Sequence, residues 1–195
     1  MQALLLVVAL AACASAVTPI TSLNAGNYLG RWYQMYGDAF TQDTFELGSY
    51  CATADYGVNS AHNISVNNGA RLGHPYGELD IIDGYAIQSE TQPGELVVHF
   101  PGQKINGPYW IFGLGPQTSS DDAVCAPTCY EWALVSDEVN VGLFVLARNT
   151  TTFVNEYESV ILATLQSEGF TKAWNKPVAV YQGADCEYAP VPSAL

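Results

Sequence analysis

The sequence predicts an all-β protein: an eight-stranded antiparallel up-and-down barrel with one C-terminal amphipathic α-helix packed outside and a short last strand. Three observations carry that expectation. Eight short strand-like runs follow one another at hairpin spacing, with no helical pattern between them. The apolar period changes from two to three-and-four only once, after residue 150. Aromatic residues make up 12% of the chain and charged residues only 13%, which favours pleated, largely buried surface over disorder. At 195 residues there is room for one domain with a sizeable core. A sandwich is the main competitor on pattern alone, and eight strands would make a barrel just wide enough for one small ligand.

Residues 1–16 read as a signal peptide. Ala3 to Ala12 is an apolar run too short to span a bilayer, and it ends at Ala14-Ser15-Ala16, with small residues where signal cleavage needs them. The barrel domain then covers 17–188, starting near Val17, and 189–195 is a loose, Pro-containing tail. The leader also holds Leu10-Ala11-Ala12-Cys13, similar to a bacterial lipoprotein cleavage box that would anchor the chain to an outer membrane through Cys13. Secretion is the stronger reading. The Ala-x-Ala site is good, flanking basic residues are missing, and losing Cys13 leaves an even number of cysteines. Asn63-Ile64-Ser65 and Asn149-Thr150-Thr151 are glycosylation sequons that fit the same route. No other segment is long and apolar enough to cross a membrane as a helix, so stable insertion is not expected.

Val17 to Gly26 reads as an extended lead-in. Leu29 to Tyr36 is the first strand, its Gly30-Arg31-Trp32 placing a large plug one pleat from a residue that lets the backbone turn. Gly37 to Gly48 lacks a period and is taken as a long loop. Ser49 to Val58 is the second strand, and His62 to Val66 the third, ending at an Asn67-Asn68-Gly69 turn. Glu78 to Gln88 is the fourth, with Gly84 as a bulge or bend. Glu95 to Phe100 and Tyr109 to Leu114 follow, then a polar loop from Pro116 to Thr128, then Tyr130 to Ser136 and Val141 to Ala147. From Thr152 to Ser167 the apolar residues Val154, Tyr157, Val160, Ile161 and Leu165 recur at helical spacing; Thr151 or Thr152 caps the start and Gly169 follows the stop. Pro177 to Tyr181 adds the last strand.

Period two sorts side chains into faces. With Glu95 outside, Leu96, Val98 and Phe100 point inward; with Glu131 outside, so do Tyr130, Trp132 and Leu134. Thr53 and Asp55 outside put Cys51 outside and Ala54 and Tyr56 inside. Trp32, Gln34 and Tyr36 share a face that runs from plug to cavity. An interior of this kind suits a small hydrophobic ligand such as a fatty acid, retinoid, carotenoid or steroid, with tyrosine hydroxyls or Gln34 meeting a polar head.

Four cysteines remain in the mature chain, with three pairings possible in an oxidising compartment. Cys125 and Cys129 flank three residues and suit a local clip; Cys51 with Cys186 would then tie an early strand to the tail. Neither metal nor cofactor is expected: His62, His74 and His99 give the thiols no second ligand pair at finger-like spacing. A net charge of -13 repels phosphate backbones and disfavours nucleic acid as a partner; oligomeric state is left open. No Gly-x-Ser-x-Gly, Cys–His site or phosphate loop supports an enzyme.

Five blocks in order carry a resemblance: Tyr28-Leu29-Gly30-Arg31-Trp32-Tyr33; Cys51 to Tyr56 followed by Ile64 to Asn68; Gly94 to Phe100; Tyr109-Trp110-Ile111; and Tyr130 to Val135 through Leu143 to Arg148. Together they make the chain similar to the lipocalin family, especially the branch of apolipoprotein D and the bacterial outer-membrane lipocalins. The resemblance implies a ligand cavity, an Arg148 stacked across Trp32 at the closed end, and a Cys51–Cys186 bridge. The family's Thr-Asp-Tyr motif is missing, with Leu114-Gly115-Pro116 standing near its place. The resemblance admits two other family roles. One is a carotenoid- or membrane-repair-type lipocalin working in an assembly; the other is an isomerase using a cavity thiol, for which Cys51 is the only strand cysteine. A haem ligand at His99 is disfavoured by its outward face.

Overall fold

The computed structural model describes residues 16–44, 46–102, 106–121 and 124–193. Residues 1–15 of the expected leader, Cys13 among them, lie outside the described residues, as do the last two residues of the tail. The order of elements is α1 (Ala25–Tyr28), β1 (Gly30–Asp38), α2 (Ala39–Thr44), β2 (Ser49–Val58), β3 (Ile64–Leu72), β4 (Glu78–Gln88), β5 (Glu95–His99), β6 (Gly107–Leu114), β7 (Gln117–Ser119), β8 (Thr128–Tyr130), β9 (Trp132–Ser136) and β10 (Phe144–Ala147). A helix then runs from Thr150–Thr152 through a π-helical stretch at Phe153–Tyr157 into Glu158–Ser167, and β11 (Pro177–Ala179) follows.

Strands β1 to β6, β9 and β10 pair antiparallel in sequence, and β10 returns to β1, so the sheet closes into the expected eight-stranded barrel. Strand β7 pairs only with β8, forming a small hairpin inside the loop expected at 116–128. Closure pairs each of the eight strands on both sides near the floor, while β4 runs on towards the mouth past its last pair with β5, Tyr85–His99.

The tail does more than add a strand. β11 pairs with the far half of β1, on the edge that β2 has left. Val180 N–H donates to Met35 O and Cys51 N–H to Tyr181 O, both at 2.9 Å. The Gln182 amide then donates to Gln34 O and Ala52 O, both at 2.9 Å, bridging the two strands where they diverge. Cys51–Cys186 locks this join across 135 residues, and Cys125–Cys129 clips the β7–β8 hairpin. Ala189, the expected start of the loose segment, is buried against β3.

Two clusters divide the apolar residues. One fills the barrel, from Tyr28, Trp32, Ala54, Tyr56 and Val66 to Leu96, Val98, Ile111, Val135 and Leu146. The other lies outside, where Phe153, Ile161 and Leu165 of the helix cover Met35, Leu134, Leu143 and Val145. The π-helical stretch shifts the helix phase, so Phe153 takes an inward place while Val154 and Val160, expected on the apolar face, are exposed. Asn149, not Thr151 or Thr152, caps the helix: its side chain accepts from Thr152 N–H at 2.9 Å.

Several expectations need correction. Asn67-Asn68-Gly69 is not a turn; it lies inside β3, paired residue for residue with β4, and the connection comes at 73–77. Gly69 is small because Ala189 Cβ stands 2.5 Å from where its own Cβ would be. The Gly37–Gly48 loop holds α2, whose first turn Asp38 caps by accepting from Thr41 N–H at 2.7 Å. The eighth strand starts at Phe144, because Asp137 draws in the N–H groups of Val139, Val141 and Gly142 and holds 137–142 as a turn.

Gly84 is no bulge either. It sits in unbroken register, and a Cβ there would meet His99 O at 2.5 Å and the Phe100 ring at 2.6 Å. Gly84→Ala is therefore expected to overpack the wall and lower stability by about 2 kcal/mol in urea unfolding.

Candidate functional site

The lumen is closed at one end by a floor built from the N-terminal turn and the first strand. Gly30 has φ 90°, a conformation glycine adopts without strain, and this lets the chain leave α1 and enter β1 with Trp32 aimed inward. Trp32 is completely buried, donates its indole N–H to Tyr28 O at 2.8 Å, and lies under the Arg148 guanidinium, whose carbon is 3.7 Å from the ring centroid. Arg148 also donates to the carbonyls of Arg31 and Leu29 at 2.7 Å and of Asn27 and Tyr130 at 3.2 Å. The expected Arg148–Trp32 stack is present, with the carbonyl caps that a planar fork of donors permits.

Above the plug, three phenols meet. Tyr109 of β6 lies 2.7 Å from the Tyr28 hydroxyl and 3.0 Å from that of Tyr56 on β2. Strands β2 and β6 stand on opposite sides of the eight-strand ring, so this contact spans the barrel. Burial is the main cause that pushes the Tyr56 hydroxyl up to about 12 and the other two well above their usual range. All three stay neutral donors at physiological pH.

The walls around and above the phenols carry Val66, Ala86, Leu96, Val98, Ile64, Phe100 and Phe144. Register places Asn68 and Ile82 here as well: Ala54, Asn68 and Ile82 are direct cross-strand neighbours, and Ala54 faces in. Ile82 faces inward yet is 38% exposed, on the stretch of β4 that continues towards the mouth past its last pair with β5.

The mouth is partly covered by the β1–β2 connection. The Gln34 amide, rising from the inner face of β1, donates to Glu46 Oε2 at 2.7 Å, and the Gln42 amide of α2 bonds the same oxygen. Burial pushes the Glu46 carboxyl up from 4.5 to about 7; the two amides oppose the shift and Asp38 adds to it.

Of the expected lining residues, the structure brings Gln34, Tyr56, Leu96, Val98 and Phe100 to the lumen. It does not bring Tyr36, Trp132 or Leu134 there. A one-residue bulge at Met35, between the Gln34–Leu146 and Tyr36–Val145 pairs, turns Tyr36 outward; its hydroxyl donates to Glu158 of the helix at 2.7 Å. Tyr36 lines an outer cleft of about 370 Å³ with Thr150, Glu158 and Val180.

A break at Glu131 separates β8 from β9, so Tyr130 faces the lumen but the parity then reverses, and Ala133 and Val135 point in. Trp132 and Leu134 pack under the helix, Trp132 beside Tyr157 with ring centroids 6.4 Å apart. Glu131 itself is outside as expected, held by Thr118. Sequence reasoning missed Tyr28, Tyr109, Asn68 and Glu46. Tyr109 was within reach, because it lies opposite Leu96 across β5 and β6.

Cys51 faces out and is bonded to Cys186, so it offers no cavity thiol. Among the described residues no group of three or more His, Cys, Asp or Glu could hold a metal ion, and no helix is long and apolar enough to cross a membrane. Asn149 is exposed and Asn63 half-buried.

The sequence matches the family model described as a lipocalin-like domain over residues 23–177. It is 36% identical to the Lazarillo protein of Schistocerca americana over 96 residues, 48% of this chain and 43% of that protein. It is 34% identical to the outer membrane lipoprotein Blc of Vibrio cholerae over 121 residues, 60% of this chain and 67% of the lipoprotein. The match thus spans less than half the length of the Lazarillo protein. Among solved structures, insecticyanin from the tobacco hornworm Manduca sexta superposes with a TM-score of 0.60 at 15% identity, covering 89% of this chain and 88% of that one.

Proposed function

The chain belongs to the lipocalin family, and on that premise we propose that it is a secreted carrier holding one small hydrophobic molecule in its barrel without covalent chemistry. The observation that supports this most directly is a closed barrel whose inward Ile82 remains 38% exposed above a phenol floor. Apolar wall left accessible inside a barrel is surface a guest can cover, at about 25 cal/mol per Å² of area removed from water. Gln34, Tyr56, Leu96, Val98 and Phe100, expected from the sequence, are the contacts we assign to that guest, together with Tyr109 and Asn68. Two bridges tie Cys51 to Cys186 and Cys125 to Cys129, which fits an oxidising compartment. The sequons at Asn63 and Asn149 are proposed as glycan sites; the Asn149 cap uses its side-chain oxygen, leaving the amide nitrogen for a glycan.

Titration with the apolar fluorophore phenylnaphthylamine tests the reading. One site per chain is expected, with quenching of tryptophan fluorescence that persists in Trp132→Phe, since Trp132 lies under the helix. Loss of the quenching in that variant would return Trp132 to the lumen. Native mass spectrometry of protein from its source, with lipid extraction, would name the guest and the N-terminus; a chain starting at a lipidated Cys13 would replace secretion by membrane anchoring.

A second reading has one observation behind it. Ile87 and Val97 are neighbours on the outer wall, 44% and 41% exposed, beside the stacked Tyr85 and His99. An assembly through this face would show as a concentration-dependent sedimentation coefficient.

A further inference from the structure

We infer that the lumen is built for a hydrophobic alcohol, held hydroxyl-down between the phenol floor and the Asn68 side chain. The inference deepens the carrier reading and rests on it.

Tyr28, Tyr56 and Tyr109 bring three O–H donors, but only two hydroxyl contacts join them, Tyr28 to Tyr109 and Tyr56 to Tyr109. Each contact uses one proton. The third phenol proton therefore has no acceptor within the trio, and an unmet buried donor is costly. Neutrality of the three phenols keeps that proton in place, since burial raises all three well above physiological pH.

Asn68 supplies the complementary defect. Its Oδ1 is buried and accepts no hydrogen bond. Its direct neighbours Ala54 and Ile82 fix it on the inner face, one pleat nearer the mouth than Val66, which is paired with Tyr56. Tyr56 and Asn68 are thus diagonal cross-strand neighbours, roughly 7–8 Å apart at Cα, within reach of a shared small group. The trio with a proton to spare and the orphan acceptor thus meet where Tyr56 of β2 borders Asn68 of β3.

A hydroxyl group answers both, accepting from the phenol and donating to Asn68. A ketone, ester or ether accepts only and leaves Asn68 unmet. A carboxylate would set negative charge against the Asn68 carbonyl oxygen; an ammonium could donate to Asn68 but has no lone pair for the phenol proton. The apolar body then runs up the wall past Val98, Phe100 and Ile82 towards the mouth.

The test uses two isomers, dodecanol and methyl undecyl ether, which share size and formula but differ in the hydroxyl donor. Each competes with phenylnaphthylamine for the native protein. Dodecanol is expected to displace the fluorophore at about tenfold lower concentration, the worth of satisfying one buried acceptor. In Asn68→Leu the preference should vanish through weaker dodecanol binding, with the ether unchanged. Equal displacement by both isomers in the native protein, or a preference that survives in Asn68→Leu, would overturn the inference and leave the carrier reading standing. No fluorophore binding at all would remove both.

Discussion

Arg148→Ala is expected to lower the unfolding free energy by about 4 kcal/mol, among the largest effects a single side chain outside the core can have here. Its guanidinium joins three separate segments at the closed end. It donates to Asn27 and Leu29 around α1, to Arg31 in β1 and to Tyr130 at the end of β8. It also covers Trp32 at 3.7 Å. Truncation leaves four carbonyls to find other donors and exposes an indole face; hydrogen bonds from a charged donor are individually worth about 1.5–3 kcal/mol, less what water restores. Arg148→Lys should recover under half of the loss, because an ammonium is a point charge that cannot reach carbonyls lying in several directions from one plane. Urea unfolding with unchanged m-value measures both. The folded fraction should bind phenylnaphthylamine within about twofold of the native protein, since the phenols separate Arg148 from the guest. A variant as stable as the native chain would sink the assignment of Arg148 as the pin of the floor.

That floor was legible in the sequence because it depends on residue identity. Gly30, Trp32 and Arg148 each have a chemistry that few other residues reproduce, and the ordered blocks between them supplied the rest. The bounds of β2 and β4 were legible too, for strands end where alternation ends. The lining was less so. A face assignment propagates along a strand from one anchor, and a single inserted residue reverses everything beyond it. Met35 did this to Tyr36, and Glu131 to Trp132 and Leu134. Asn68 was hidden by a different competition: Asn-Asn-Gly is strong turn chemistry, overridden here by a ladder of nine pairs with β4. Glu46 could not be found at all, since its role depends on α2 folding the loop back to meet Gln34, a contact 12 residues away with no periodic signature.

Glu46 leads to the prediction with the steepest dependence on conditions. Its carboxyl titrates near 7 with the loop closed over Gln34, against 4.5 for a solvated side chain, chiefly because closure buries it. The closed form therefore holds the proton more tightly than the open form. Stabilisation of closure is complete below about 4.5, falls by up to tenfold in the closed-to-open ratio per pH unit through the window to 7, and is flat above it. The same carboxylate, once charged, keeps some hold through the Gln34 and Gln42 amides, while Asp38 nearby works against it. If closure gates the mouth, the association rate of phenylnaphthylamine should rise by up to about a hundredfold between pH about 4.5 and about 7 and then level off. Glu46→Gln keeps an acceptor for the Gln34 amide but carries no titrating charge, so its rate should be flat across the window. A native rate that does not change with pH, or an equal rise in Glu46→Gln, would show that the loop's carboxyl does not control access to the lumen.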